Sequence, residues 1–267
     1  MESHSAPDHP VRSSIQSALA GLEKETGMVV LHACESGSRA WGFASRDSDW
    51  DVRFIYAWPT ARYLRPRLPP ETITRALPGD LDISGWDLRM TLNQLARSNG
   101  ALLEWLHSPI IYHRDEWFAQ AVAAVREAVF RPKPLLDHYL GLAKSLRAQA
   151  GDGAMFNGKK YLYVLRATLA ARWVWDQRQP PPVAFAELLP QAPPAIRAEM
   201  EQLVAHKAAG SESDAFAVSP ALLAFAENER AQLAEWAASL ESPAVEPAPL
   251  DGLFLETLKH LFPSPFA

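Results

Sequence analysis

The stretch Gly37-Ser-Arg-Ala-Trp-Gly-Phe-Ala-Ser-Arg-Asp-Ser-Asp-Trp-Asp51 decides how this chain folds and where its chemistry lies. It follows the apolar run Met28-Val-Val-Leu31, which reads as a strand, and leads into Val52-Arg-Phe-Ile-Tyr56, which reads as a second. Ten residues separate the Gly-Ser pair from Asp49. In an extended chain residues i and i+2 point the same way, so Asp49 and Asp51 place two carboxylates on one face at the start of a strand. Like charges that close disfavour each other's ionisation. A divalent cation relieves the cost, and Mg²⁺ favours a few carboxylates together with phosphate oxygens and water. The pattern suits a metal-bound nucleoside triphosphate, with Mg²⁺, or Mn²⁺ in its place, as cofactor and the triphosphate as substrate.

Composition narrows the setting. The 267 residues are 48% apolar with 9 Trp, enough for a substantial core. No apolar run approaches the roughly 20 residues that span a bilayer, and the N-terminus lacks the pattern of a signal peptide. A single cysteine, Cys34, excludes an internal disulfide framework and a cysteine-based zinc site. A cytoplasmic protein with no membrane partner is the expectation. The net charge of −5 argues against long, sequence-independent contact with a nucleic-acid backbone, while leaving room for a local basic patch.

Working outward from the motif, residues 1–10 are expected to be disordered. Val11, Ile15, Leu19 and Leu22 recur at helical spacing up to a stop at Gly27. Residues 28–34 and 52–58 are the first two strands, with the motif on a loop between them. Residues 59–70 form a connection rich in Pro and Arg, with Arg62, Arg65 and Arg67 around Tyr63. Residues 71–77 and 81–86 form a hairpin about Pro78-Gly79-Asp80. Asp87 reads as the N-cap of a helix carrying Leu88, Leu92 and Leu95, and a shorter helical piece carries Leu102, Leu103 and Leu106. From about His113 onward the chain reads as helical, with helices over 116–130, 134–149, 159–177, 194–207, 220–240 and 250–262. The fold class is therefore α+β: a small mixed-sheet domain over residues 11–112, then an all-helical domain over 113–267.

Several side chains could serve the chemistry. Glycine lets backbone approach a phosphate closely, and amides in a tight turn make an anion-binding concavity, so Gly37 and Ser38 can grip the triphosphate. Arg39 either reaches the phosphates or is a surface arginine. Arg53, on the strand face of Asp51, either pairs with the carboxylates or touches phosphate. Trp41, Phe43 and Trp50 read as packing anchors for a long loop. In the helical half Lys159, Tyr163 and Arg166 share a helix face, which either closes over the nucleotide or is a solvated basic face. His32, His107, His113 and His138 show no metal-ligand spacing. Glu104 reads as supporting or structural, and Cys34 as a small buried residue.

Gly37-Ser38 followed by Asp49-x-Asp51 resembles the signature of the DNA polymerase β-like nucleotidyltransferase superfamily. The longer string through Tyr56, with Asp82-Ile-Ser-Gly-Trp-Asp-Leu-Arg and Ser98-Asn-Gly-Ala-Leu-Leu-Glu-Trp-Leu-His-Ser-Pro-Ile-Ile-Tyr, resembles one bacterial and phage family. That family is described as predicted nucleotidyltransferases associated with RNA ligases and RNA repair. The resemblance covers residues 28–112 well and the helical half loosely, through Lys159-Lys-Tyr-Leu-Tyr-Val-Leu-Arg166. It implies a nucleotidyltransferase domain over 11–112 and a substrate-binding helical domain that contacts the triphosphate, a role open to Lys159, Tyr163 and Arg166. It also implies a third carboxylate on a neighbouring strand. Asp82, inside the expected strand, is favoured over Asp87 as general base and shared metal ligand, because a strand interior is a poor place for an unpaired carboxylate. The implied reaction moves a nucleoside monophosphate onto an acceptor hydroxyl and releases pyrophosphate. An RNA end is the expected acceptor and an RNA ligase or repair protein the expected partner. A small molecule or protein acceptor, or an inactive nucleotide-binding regulator, are the alternatives.

Overall fold

Helix α1 (Pro10–Thr26) gathers Ile15, Leu19 and Leu22 into one buried stripe and stops at Gly27, whose φ of +74° suits glycine. The chain then runs β1 (Val29–Glu35), α2 (Gly37–Trp41), β2 (Trp50–Ala57), α3 (Thr60–Tyr63), β3 (Thr72–Leu77), β4 (Leu81–Asp87), α4 (Leu88–Ala96), α5 (Gly100–Leu106) and β5 (Ile111–Arg114). There follow α6 (Glu116–Val129), α7 (Pro132–Ala150), β6 (Met155–Asn157), α8 (Gly158–Gln177), α9 (Phe185–Leu188), α10 (Pro194–Ala209), β7 (Ala215–Ala217), α11 (Pro220–Ala238) and α12 (Ala248–Leu261). The structure is a computed structural model and describes residues 10–77, 80–150, 155–210 and 215–264. The disorder expected of the first residues, up to residue 9, and the Pro78-Gly79 part of the hairpin turn lie outside the described residues.

Five strands form one mixed sheet in the order β3-β4-β2-β1-β5. Strands β2 and β4 are parallel, and the other pairs are antiparallel, including the expected hairpin of β3 with β4. One face packs on α1 through Val30, Ala33, Val52, Phe54, Tyr56 and Ile83. Burying Ile15, Leu19 and Leu22 against it contributes roughly 1.5–3 kcal/mol per side chain. On the other face Leu31, Cys34, Ile55 and Ala57 begin a second core that continues through Leu92 and Leu103 into Tyr139, Leu165 and Leu258. The sheet and the C-terminal helices therefore share a continuous interior.

Helix starts follow local chemistry. Asp87, Asn99, Asp115, Asn157 and Ser219 each accept a hydrogen bond from the backbone N–H three residues on, at 2.7 to 3.1 Å. Each such cap is worth about 1 kcal/mol.

Several elements depart from the sequence reading. The motif loop contains a short helix, α2. Strand β5 carries residues 113 and 114, so the expected boundary falls inside a strand of the sheet. Its sequence, Ile-Tyr-His-Arg, places two apolar residues before two polar ones and gives no alternation to read. Strands β6 and β7 pair antiparallel within the part read as all-helical. At three residues each they are too short to carry a period.

Asp87 is buried at the end of β4 and caps α4 through Met90 N–H at 2.7 Å. Desolvation pushes its carboxyl up to about 6, against the pull of that hydrogen bond. The folded state thus holds this proton more tightly than the unfolded chain, and stability falls as pH rises from about 4 to about 6. Asp87→Asn keeps a capping side chain and removes the charge. Thermal unfolding between about pH 4 and 8 will show a decline in the variant smaller than the parent's by about 3 kcal/mol.

Candidate active site

Asp51 and Asp82 are register partners on the parallel strands β2 and β4. Their side chains leave one face of the sheet from backbones about 4.8 Å apart. Arg53, two residues along β2, emerges on that face too and spans the pair: Nη2 lies 3.0 Å from Asp51 Oδ1 and Nη1 lies 2.8 Å from Asp82 Oδ2. Of the two roles open to Arg53, the structure places it in the ion pair. Asp49 precedes the strand and is exposed. Asp87 lies five residues beyond Asp82 at the opposite end of β4, roughly 16 Å away by strand rise.

The motif folds back onto these carboxylates. Ser36 N–H donates to the Asp51 carbonyl at 2.9 Å, closing the excursion at its base. Gly37 has φ +63°, and a Cβ built there would collide with Asp51 Oδ2. Only glycine lets the Asp51 carboxylate lie against the turn. Ser38 follows, buried in α2. Arg39 staples the loop: its Nε donates to the Asp49 carbonyl at 3.0 Å and its Nη2 to the Ser48 carbonyl at 2.5 Å, with the guanidinium 3.9 Å from the Trp50 ring centre. Ser45 and Ser48 join through their hydroxyls at 3.0 Å, and Lys207 of α10, fully buried, reaches Ser45 Oγ at 3.4 Å.

Glu35 and Lys207 are residues that sequence reasoning missed. Glu35 is wholly buried at the end of β1. Its Oε1 accepts the Asp51 N–H at 2.9 Å, and its Oε2 accepts the Tyr112 hydroxyl at 2.6 Å. Desolvation pushes the Glu35 carboxyl up to about 7, with both hydrogen bonds opposing the shift. A glutamate ending an apolar strand just before the motif was the available signal. Nothing in the sequence around Lys207 marks it, because its partner is 162 residues away.

The α8 face meets the motif through aromatic packing. Tyr163 stands edge-on to Trp41 at 4.7 Å and tilts against Phe43 at 5.8 Å. Arg166 is turned inward and buried, its guanidinium 4.3 Å from the Trp41 ring centre and its Nη1 2.8 Å from Glu104 Oε1. Two more of its N–H groups donate to the Val183 carbonyl. Glu104 also accepts Trp41 Nε1–H and the Tyr139 hydroxyl, both at 2.9 Å. Lys159 lies partly buried in the first turn of α8. The basic connection after β2 stands at the end of that strand remote from Asp51. Within it Arg62 packs over Trp58, while Arg75 on β3 pairs with Glu25 at 2.8 Å.

Among the described residues, no three His, Cys, Asp or Glu side chains form a ready metal cage. The chemistry of the donors nevertheless fits a hard divalent ion. Two carboxylates already converge on one cationic group, Arg53, with exposed Asp49 at the edge, and hard oxygen donors suit Mg²⁺.

A model of the RNA repair pathway DNA polymerase beta family matches residues 11–256. The chain belongs to that family. The matched span takes in the motif, Asp82 and the whole of α8, so sheet and helices alike are part of the RNA repair polymerase beta architecture. The chain is also similar to Uncharacterized protein YcgL of Bacillus subtilis (strain 168), with 35% identity over 255 residues, covering 94% of this chain and 98% of that protein. No helix among the described residues is long and apolar enough to cross a membrane.

Arg166→Ala leaves the largely buried Glu104 carboxylate without its cationic partner and should lower the unfolding free energy by about 3–5 kcal/mol in chemical denaturation. Gly37→Ala should cost about 1–3 kcal/mol from the left-handed backbone alone, and its added methyl should displace the Asp51 carboxylate, visible as a shifted Asp51 resonance by NMR.

Proposed function

We propose that this protein is a metal-dependent nucleotidyltransferase that moves a nucleoside monophosphate from a triphosphate to a hydroxyl at an RNA end, releasing pyrophosphate. The observation that carries this reading is the register of Asp51 with Asp82, which sets two carboxylates side by side against the Gly37 turn. Family membership supports a polymerase β-type chemistry and an RNA repair setting.

In this reading the Gly37-Ser38 turn and Lys159 of α8 grip the triphosphate. Arg39 holds the backbone of Asp49 in place, and Tyr163 and Arg166 fix α2 from behind. Asp49, Asp51 and Asp82 would hold Mg²⁺ or Mn²⁺, with Arg53 released from the pair. Such an ion would offset the triphosphate charge and polarise the α-phosphoryl group. Asp82 takes the proton from the acceptor hydroxyl, whose oxygen attacks the α-phosphorus in line. The bond from the α-phosphorus to the bridging oxygen breaks, and pyrophosphate leaves. An RNA ligase or another repair protein is the natural partner for an RNA end altered in this way. The net charge of −5 and the remoteness of the arginine-rich connection favour a small-molecule acceptor as the second reading.

The test incubates the full chain with each α-labelled nucleoside triphosphate, Mg²⁺ or Mn²⁺, and RNAs ending in hydroxyl or phosphate. Label should appear in RNA carrying a free terminal hydroxyl. Asp51→Asn and Asp82→Asn should each reduce transfer roughly a hundredfold or more, while Asp87→Asn retains it. Transfer to none of the RNAs, or an Asp51→Asn variant as active as its parent, sinks the proposal. Label appearing only on added aminoglycosides or proteins replaces it by the second reading.

A further inference from the structure

A cavity of about 330 Å³ lies where β1 and β5 meet α5 and α6. The carboxylates stand on β2 and β4, and His32, which lines this cavity from β1, is three residues back from Glu35, roughly 10 Å along the strand. The other polar lining residues are His107 at the end of α5, Arg114 at the end of β5 and Arg126 on α6, with Phe118 and Val122 as an apolar wall. Among the described residues no Asp or Glu lines it. Glu116 reaches Arg114 from outside, at 3.4 Å and largely in solvent.

Hydrogen bonding orders this cationic set. A carbonyl oxygen can only accept, so the 2.7 Å contact of His107 Nδ1 with the Leu103 carbonyl puts the proton on Nδ1. The Nε2 of the neutral ring then accepts from Arg126 Nη1, and the imidazole aims the guanidinium. His32 likewise donates from Nε2 to the Trp105 carbonyl at 2.9 Å, leaving Nδ1 as its second polar atom. Burial first, then the surrounding positive charge, hold both rings below their ordinary protonation range: Arg114, His113 and His107 act on His32, and Arg126 on His107. The set is short of negative charge. Two planar guanidinium forks match the oxygens of a phosphate, and the volume sits at the low end for small-molecule pockets.

We propose that this cavity binds a small phosphate monoester, with Arg114 and Arg126 on the phosphate, His107 orienting Arg126, and the Phe118–Val122 wall against the organic part. The site is separate from the carboxylate site and stands whether or not nucleotidyl transfer is the reaction. Titration of the full chain with inorganic phosphate, a nucleoside 5′-monophosphate and a 5′-phosphorylated RNA oligonucleotide, followed by calorimetry and by the histidine ring resonances, tests it. The monophosphate should bind saturably, more tightly than inorganic phosphate, and shift the His32 and His107 signals. Arg126→Gln and Arg114→Gln should each weaken binding roughly tenfold or more, and Asp51→Asn should leave it unchanged. Arg114 is half exposed, so its substitution carries the test should Arg126→Gln unfold. Absence of saturable binding, binding indifferent to both arginine variants, loss of binding in Asp51→Asn, or binding by the oligonucleotide alone would each overturn the proposal.

Discussion

Two carboxylates set side by side on parallel strands repel each other, and much of the motif's architecture answers that repulsion. Asp51 and Asp82 share a register position, so strand pairing itself forces them together. Arg53 emerges from the same face and pairs with both. Gly37 leaves the space in which the Asp51 carboxylate lies, and Glu35 fixes the Asp51 backbone from beneath by accepting its N–H. A burial that pushes Glu35 up to about 7 is a cost, offset in part by the hydrogen bonds it receives from Asp51 and Tyr112.

The motif is also held from the helical half. Trp41 lies between Glu104, which accepts its indole N–H, and Arg166, which sits over its ring. Because Glu104 belongs to α5, Arg166 to α8 and Tyr139 to α7, one buried polar group couples α2 to three other helices. Buried ion pairs of this kind add little net stability but are costly to break. Their consequence here is geometric: α2 and the turn at Gly37 are seated against a rigid wall, and Lys207 adds a contact on the Ser45–Ser48 turn.

Much of the fold was legible because its signals are local. The 3.6-residue period of Ile15, Leu19 and Leu22 and the cap at Asp87 report on residues within a turn or two, and the long helices fall close to the expected boundaries. The failures are equally physical. Strands β6 and β7 are too short to carry a period, and β5 is a strand because an antiparallel partner, β1, lies beside it. Arg166 shares a helix face with Lys159 and Tyr163, as spacing requires, yet spacing is silent on what that face meets. The answer, a largely buried carboxylate 62 residues away, is tertiary.

The sequence by itself determined the motif, the mixed-sheet frame with its hairpin, and the family resemblance, since these rest on residue type and short-range period. Only the tertiary structure decided that Asp82 rather than Asp87 stands beside Asp51, that Arg53 spans the two, and that Glu35 and Lys207 support the loop. The reason is register. Which residue of one strand faces which residue of another depends on how distant segments pair and pack, and a single chain read in order carries the period of each strand but not its alignment with a neighbour.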